Sequence, residues 1–402
     1  MIEWLSGYAR VGSTPPASFQ GLVEATLRNP ERIWRHAFDR QVSEGARSVL
    51  LSLFGLSGSA TVVRLKEVFD ALHQHRADRY RLALAANEFH EALRELDGAF
   101  IRIDAGTIRF INPSVKDFLA GLTAEVPDHA LDLLASASGT EQVARVWQVA
   151  GTDAGAGLRS VILARPSLIL DPLRRALAIQ RAERVQDGRG LRILTYDARW
   201  EARAALALSV AETLRTEDAW GLLEQALSAL PAAWRDESPD WSDVQDLLRA
   251  LENASWDRVR EATDLYDRLK SAFIPEFCYA DASDFVSVIE HADLSSRWTE
   301  ADWAALHDAF SEYLSSSFES AHSNRSSSEE LTCMRDDLDA AGDRLGISVW
   351  RQTRMLDALI AEQSAEEERA ATSEEGPVGG RGMRDFDDVR QVRRMFDTLR
   401  AD

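Results

Sequence analysis

The chain has 402 residues, 45% of them hydrophobic and 28% charged, with a formal net charge of -20; that is room for two or three domains and enough apolar content to bury ordinary cores. No apolar run approaches the roughly 18 residues that span a bilayer. The N-terminal MIEWLSGYARVG lacks the charged start and long apolar core of a signal peptide, so the expected address is cytoplasmic.

Two cysteines, Cys278 and Cys333, occur without a CxxC or clustered histidines, so neither a disulfide framework nor a zinc site is indicated. The acid is unevenly spread: residues 1–150 carry 16 Lys+Arg against 18 Asp+Glu, while the remaining 252 carry 30 against 48. Such a C-terminal surface repels phosphate backbones and anionic lipid, which points to a protein partner or simply to a solvated acidic face.

In chain order, residues 1–28 read as a connector, with a short amphipathic piece and then the breaker GSTPP at 12–16. From Asn29 and Pro30, a cap and a first helical position, Ile33, Trp34, Ala37, Phe38 and Val42 recur at helical spacing. Helices are expected over Glu44 to Phe54, Thr61 to His73 and Tyr80 to Leu96, with Gly55-Leu-Ser-Gly58 as a turn. The period then switches: Phe100, Ile101 and Ile103, then Ile108 and Phe110, flank Asp104-Ala-Gly106 as a hairpin. Asn112-Pro113 stops the second strand and Ser114 to Leu122 restarts a helix, since proline suits a first helical turn and not a central strand.

Helices followed by a β-ribbon describe a winged helix, here placed at 29–126. Beyond Pro127 no further strand is expected. Residues 127–365 read as an irregular array of amphipathic helices without a fixed repeat; Thr299 opens one of them, with Asp302 at the capping-box position. Seven of the eleven tryptophans lie between Trp200 and Trp303, each on or beside an apolar stripe, which points to core packing rather than ligand stacking. A charged, glycine-rich linker is expected over 366–384, and a C-terminal helix over 385–402 with Phe386, Val389, Val392, Met395, Phe396 and Leu399 on one side. The fold class is therefore mainly α: a winged helix with a small β-hairpin, then a solenoid-like helical domain.

Catalytic constellations are not found. None of the three lysines, Lys66, Lys116 and Lys270, follows a glycine, so there is no P-loop. Ser167-Leu-Ile-Leu-Asp171 resembles a Walker B strand, but Pro172 follows at once in helical surroundings. His73 and His75 make a lone HxH, and His90-Glu91 lacks the second histidine of HExxH, so the histidines read as core or solvated. No GxSxG elbow is present. The paired carboxylates read as helix surface, and the expectation is a chain that is no enzyme, with no cofactor and no metal of its own.

A winged helix often binds DNA. The helix that would enter the groove shows Arg81 and Arg94 against Glu88, Glu91, Glu95 and Asp97, and the wing offers Arg102 and Arg109 opposed by Asp104. That charge is wrong for a strong phosphate contact, so a stand-alone DNA-binding regulator is the alternative rather than the leading reading.

PERIWRHAFDRQVSEGARSVLLSLFGLSG (30–58), FIRIDAGTIRFINPSVKDFL (100–119) and LLASASGTEQVARVW (133–147) together resemble the post-ATPase region of bacterial STAND proteins, most closely the novel STAND NTPase 3 type, over about residues 1–150. The resemblance implies the regulatory and sensor portion of a signalling ATPase, in a family with members in antiphage defence. It implies a winged helix that folds back on an ATPase module, in cis or in trans, to hold an ADP-bound resting state. It also implies a helical arm that meets a protein trigger, and oligomerisation on activation. The family's strand-to-helix seam often has the pattern F-x-H-x-S-x-x-E-F-L, matched here by Phe110, Asn112, Ser114, Asp117, Phe118 and Leu119. Asn112 and Ser114 are thus the candidate nucleotide-sensing residues. Asn112 stands where the histidine would: it can hydrogen-bond but carries no charge, and it also suits a helix cap. ATP or ADP enters only with an ATPase module, because effector, Walker A and Walker B sequences are absent here.

Overall fold

The computed structural model describes Ser18 and residues 31–179, 182–187, 190–195, 197–234, 239–253, 259–323, 325 and 327–374; the expected C-terminal helix over 385–402 and all of the connector over 1–28 except Ser18 lie outside these. The fold is mainly helical with a small three-stranded antiparallel sheet. Packing divides the chain into two compact units, one ending at Glu276 and the other beginning at Phe277, whereas the sequence reading sets its boundary at 126/127. Among the described residues no helix is long and apolar enough to cross a membrane.

The first unit is organised around α2 (Glu44–Gly55), in which every residue from Gly45 onward except Arg47 is buried. A helix apolar on all sides must be surrounded. It is: α1 (Glu31–Arg40) precedes it, and α3 (Val62–Tyr80) and α4 (Glu88–Leu96) pack beside it. Ser43 caps α2 by accepting from the Ala46 N–H at 3.1 Å, and Thr61 caps α3 by accepting from the Arg64 N–H at 3.2 Å.

Tyr80 to Leu96 is not one helix. Tyr80 is the last residue of α3, Arg81 takes a left-handed φ of 59° there, and α4 opens only at Glu88 after Asn87, itself at φ 69°. The break lets Phe89 turn back onto Phe69, with ring centroids 5.2 Å apart, and buries Leu93 and Leu96. A continuous helix would carry that stripe away from the core.

The hairpin forms where the period switches. Strand β2 (Ile101–Asp104) pairs antiparallel with β3 (Thr107–Phe110) in the register Ile101↔Phe110 and Ile103↔Ile108. Ala105 and Gly106, at φ 46° and 84°, make the two-residue turn that suits the strand twist. The sequence reading has no strand before it, yet β1 (Ser59–Thr61) pairs with β3 on the other side, giving the order β1-β3-β2. The turn into β1 needs Gly58, at φ 96°, where an added Cβ would also meet the Phe110 ring at 3.0 Å. Gly58→Ala is therefore expected to cost about 1–2 kcal/mol, read as a lower urea midpoint at unchanged m-value.

After β3 the first unit continues through α5 (Pro113–Glu125), α6 (Pro127–Ala135), α7 (Thr140–Ala150), α8 (Ala156–Ala164) and α9 (Ser167–Leu177). The Ser167–Asp171 stretch is thus helical, with Pro172 inside the same helix. Next comes a second hairpin, β4 (Ala182–Asp187) and β5 (Gly190–Thr195), in the register Ala182↔Thr195 to Asp187↔Gly190. This corrects the expectation of no strand beyond Pro127. The signals were Asp187-Gly188 and the alternation of Leu191 and Ile193, set in an otherwise helical region.

Helices α10 (Trp200–Leu214), α11 (Glu217–Ala233), α12 (Trp241–Asn253) and α13 (Val259–Phe273) complete the unit. Arg215 at φ 53° ends α10 and Thr216 caps α11, which folds the two into a hairpin. Trp234 and Trp241 lie 5.8 and 5.5 Å from the Phe273 ring, and Trp220 and Trp234 are buried. Trp220 and Trp234 are thus core, Trp200 and Trp241 are half-buried, and Trp256 lies outside the described residues.

In the second unit, Asp281 with Asp284 and Thr299 with Asp302 form reciprocal capping boxes on α14 (Ala282–Leu294) and α15 (Glu300–Glu312). Leu306, Phe310 and Tyr313 are buried in this unit's core, and Trp303 and Leu314 are half-buried. A π-helical turn, Tyr313–Ser317, leads to α16 (Phe318–Ser323), followed by α17 (Ser328–Leu345) and α18 (Trp350–Glu374). Helix α18 runs to Glu374, so the first residues of the expected linker, 366–374, are helical, and the rest lies outside the described residues.

Candidate functional site: the strand-to-helix seam

The seam between β3 and α5 sits on the surface. Asn112 is exposed, with φ -145° and ψ 137°, and its Oδ1 accepts from the Ser114 N–H at 2.9 Å, so it is the N-cap of α5 with Pro113 at the first helical position. Ser114 is half-buried, and its hydroxyl accepts from the Trp34 indole at 3.2 Å. Trp34 in turn packs on Phe100, with centroids 5.1 Å apart. The two sequence-selected residues are thus adjacent and hydrogen-bonded, one through its side chain to the helix start and the other to α1. Beside them Ile111 is 44% exposed, and Lys116 reaches toward Gly58. Asn112→Ala should lower stability by about 1 kcal/mol through loss of the cap, measured as a small fall in melting temperature.

Elsewhere in the first unit lie polar networks that the sequence pattern did not single out. Asp132 on α6 is fully buried and receives Arg79, Tyr80 at 3.1 Å and Arg76 at 3.3 Å from α3. Burial and the Asp132 charge push the Tyr80 hydroxyl up, while the hydrogen bond to Asp132 raises Arg79. Arg76 also donates to Glu44 and approaches Nδ1 of His129, each at 3.3 Å. Burial first, then the Arg76 charge, pushes His129 down to about 4, so this imidazole is neutral at pH 7.

A second network holds the start of α7. Gly139 occupies the cap position and has no side chain; a Cβ there would lie 2.7 Å from Arg64 Nη2 and 3.1 Å from Asp197 Oδ1. Asp197, 57 residues further on, supplies the cap, accepting from the Thr140 N–H at 2.9 Å and its hydroxyl at 2.8 Å. Arg203 Nη2 lies 3.1 Å from Asp197, both side chains fully buried. Burial and the Asp197 charge push the neighbouring Glu141 carboxyl up, with Arg64 opposing.

A third arrangement links α2, α3 and α4. His73 Nδ1 lies 2.9 Å from the Ser48 hydroxyl and its Nε2 lies 3.0 Å from Glu88. Serine, histidine and carboxylate stand in the order of a hydrolase relay, but Ser48 is fully buried inside a continuous helix, where no substrate carbonyl can reach it. The Ser48–His73 hydrogen bond ties α2 to α3, with the Glu88 carboxylate of α4 alongside. Histidines at 73 and 75 have separate partners, since His75 Nε2 lies 3.5 Å from Asp132.

No family model, no curated protein and no solved structure matches this chain.

Proposed function

We propose that residues 29–126 act as a winged helix of the STAND type, and that the chain is the non-catalytic regulatory and sensor portion of a cytoplasmic signalling ATPase that serves in antiphage defence. In this reading the seam at Asn112 and Ser114 leans on an ATPase module, in cis or in trans, and the acidic helical arm meets a protein trigger. The observation that carries the reading is the element order helix, strand, helix, helix, hairpin (α2-β1-α3-α4-β2-β3) with sheet order β1-β3-β2, which is the order of a winged helix. An exposed Ile111 at the seam supports a docking face there, because an apolar side chain beside a polar cap gains by being covered. Against the DNA-binding alternative, the exposed positions of α4 and its end are His90, Glu91, Arg94, Glu95 and Asp97, three carboxylates against one arginine, and Arg102 and Arg109 are both within ion-pair reach of Asp104.

The test begins with the DNA adjoining the gene, where a P-loop ATPase frame is expected. That ATPase, purified and mixed with this chain, should turn over ATP more slowly, and Ile111→Asp in the chain should relieve the inhibition. Hydrolysis of ATP by the chain alone, or no effect on the neighbouring ATPase, overturns the reading. A duplex-DNA shift that weakens steeply with salt would favour the alternative.

A further inference from the structure

The helix break at residues 81–87 opens a cavity of about 390 Å³ between α3, the intervening link and α4. Its walls are the buried rings of Phe69 and Phe89 and the side chain of Leu84, which is 49% exposed although it lines a concave surface. Its floor is His73, stacked on Phe69 with centroids 4.9 Å apart at 13°, and the Glu88 carboxylate.

Charge decides what such a space can take. Lys66 at the rim is neutralised by its ion pair with Asp70. Glu88 is left: it accepts from the Ala85 N–H at 3.1 Å and lies 3.0 Å from His73 Nε2. That approach is too far off line to count as a hydrogen bond, since Nε2 is buried without an aligned partner. Lys66, Asp70 and Glu88 together therefore leave the lining one net negative charge, on Glu88. The buried Phe89 ring has a cation at its edge of the cavity in Lys66, whose Nζ sits 5.9 Å from the ring centroid. Asp70, His73, Glu88 and His90 are metal-ligand types, yet among the described residues no three such side chains converge to hold an ion. The cavity suits a bulkier cation with an apolar stem.

We infer that this cavity binds a compact organic cation, a guanidinium or ammonium group on an aliphatic stem. The stem lies against Leu84 and Phe69, the charge faces Glu88, and the flat group stacks near Phe89. The volume falls at the small end of ligand sites, about 300–1,000 Å³, matching an amino-acid-sized group. This inference stands apart from the winged-helix reading, since it uses neither the seam nor an ATPase.

The group can come from an arginine or lysine of a protein or from a free amine, and calorimetry on the full chain separates these. The probes are acetyl-Gly-Arg-Gly-amide, its citrulline counterpart and agmatine. Binding of the arginine peptide or of agmatine is expected, with the citrulline peptide at least about tenfold weaker and Glu88→Gln weakening the cationic probe by a similar factor. The peptide outbinding agmatine assigns the site to a protein partner, and the reverse assigns it to a free amine. Leu84→Trp fills the mouth from an exposed position, so it should abolish binding while leaving the melting temperature unchanged. Absence of binding by both cationic probes, equal binding of citrulline and arginine peptides, or affinity untouched by Glu88→Gln and Leu84→Trp overturns the inference.

Discussion

Replacing Asp197 by alanine is expected to remove about 3–5 kcal/mol from the unfolding free energy of the first unit. The carboxylate is fully buried, accepts from the Thr140 N–H and the Thr140 hydroxyl, and is ion-paired with Arg203. Arg203 is also fully buried, donating to the carbonyls of Ile179 at 2.8 Å and Ala198 at 3.1 Å, with its guanidinium 4.5 Å from the Trp200 ring. Those bonds hold the guanidinium in place after the carboxylate is gone. An uncompensated cation then stays in the interior, and α7 loses its only side-chain cap because Gly139 cannot supply one. Urea unfolding followed by tryptophan fluorescence measures the loss. Pairing Asp197→Leu with Arg203→Met should recover most of it, because neither charge then remains. A single-variant loss under about 1 kcal/mol would mean that water reaches the pair in solution.

Stability should also fall on mild acidification, by about 2 kcal/mol between pH 7 and pH 5, through His129. In the folded chain this imidazole titrates at about 4, against 6.5 for an ordinary histidine. Burial and the Arg76 guanidinium lower it, while Asp132, Asp128 and Glu44 oppose only in part. Between those two values the unfolded chain binds a proton that the folded chain refuses, so the unfolded state gains as pH drops. The stabilisation is complete above about pH 6.5 and is lost progressively down to about pH 4. Arg76 donating to Nδ1 needs the neutral ring, which gives the effect a geometric basis. The raised Glu141 carboxyl works in the opposite direction, so comparison with His129→Gln isolates the histidine. That variant should flatten the acid slope, and an unchanged slope would assign it to other groups.

Local chemistry was legible in the sequence, and remote chemistry was not. The Asp104-Ala-Gly106 hairpin, the Asn112-Pro113 helix start and the Thr299 and Asp302 box each lie within a few residues, and each forms as read. Strand β1 was missed because three residues, Ser-Ala-Thr, show no alternation; it exists because β3 offers an open side. The break after Tyr80 was missed because Leu84 follows Tyr80 at helical spacing; the step of five residues from Leu84 to Phe89 is where the stripe is interrupted, and the packing of Phe89 on Phe69 shows the consequence. The networks were invisible for the same reason. Thr140 and Asp197 are 57 residues apart, Arg76 and Asp132 are 56 apart, and Ser48 and His73 are 25 apart. Periodicity fixes which face a residue is on but not which distant residue it meets. The seam was located by its motif, and its exposure, its Trp34 anchor and the neighbouring Ile111 came from the fold.

The small sheet has one further implication. Its two outer strands are only three and four residues long, and on the β2 side the Ile101 carbonyl is already taken by the Gly98 N–H at 2.9 Å. So little unpaired backbone remains at either border that another polypeptide has almost nothing to zip onto. Any companion of this ribbon must grip it by side chains, and single-residue changes should therefore be able to switch the association off.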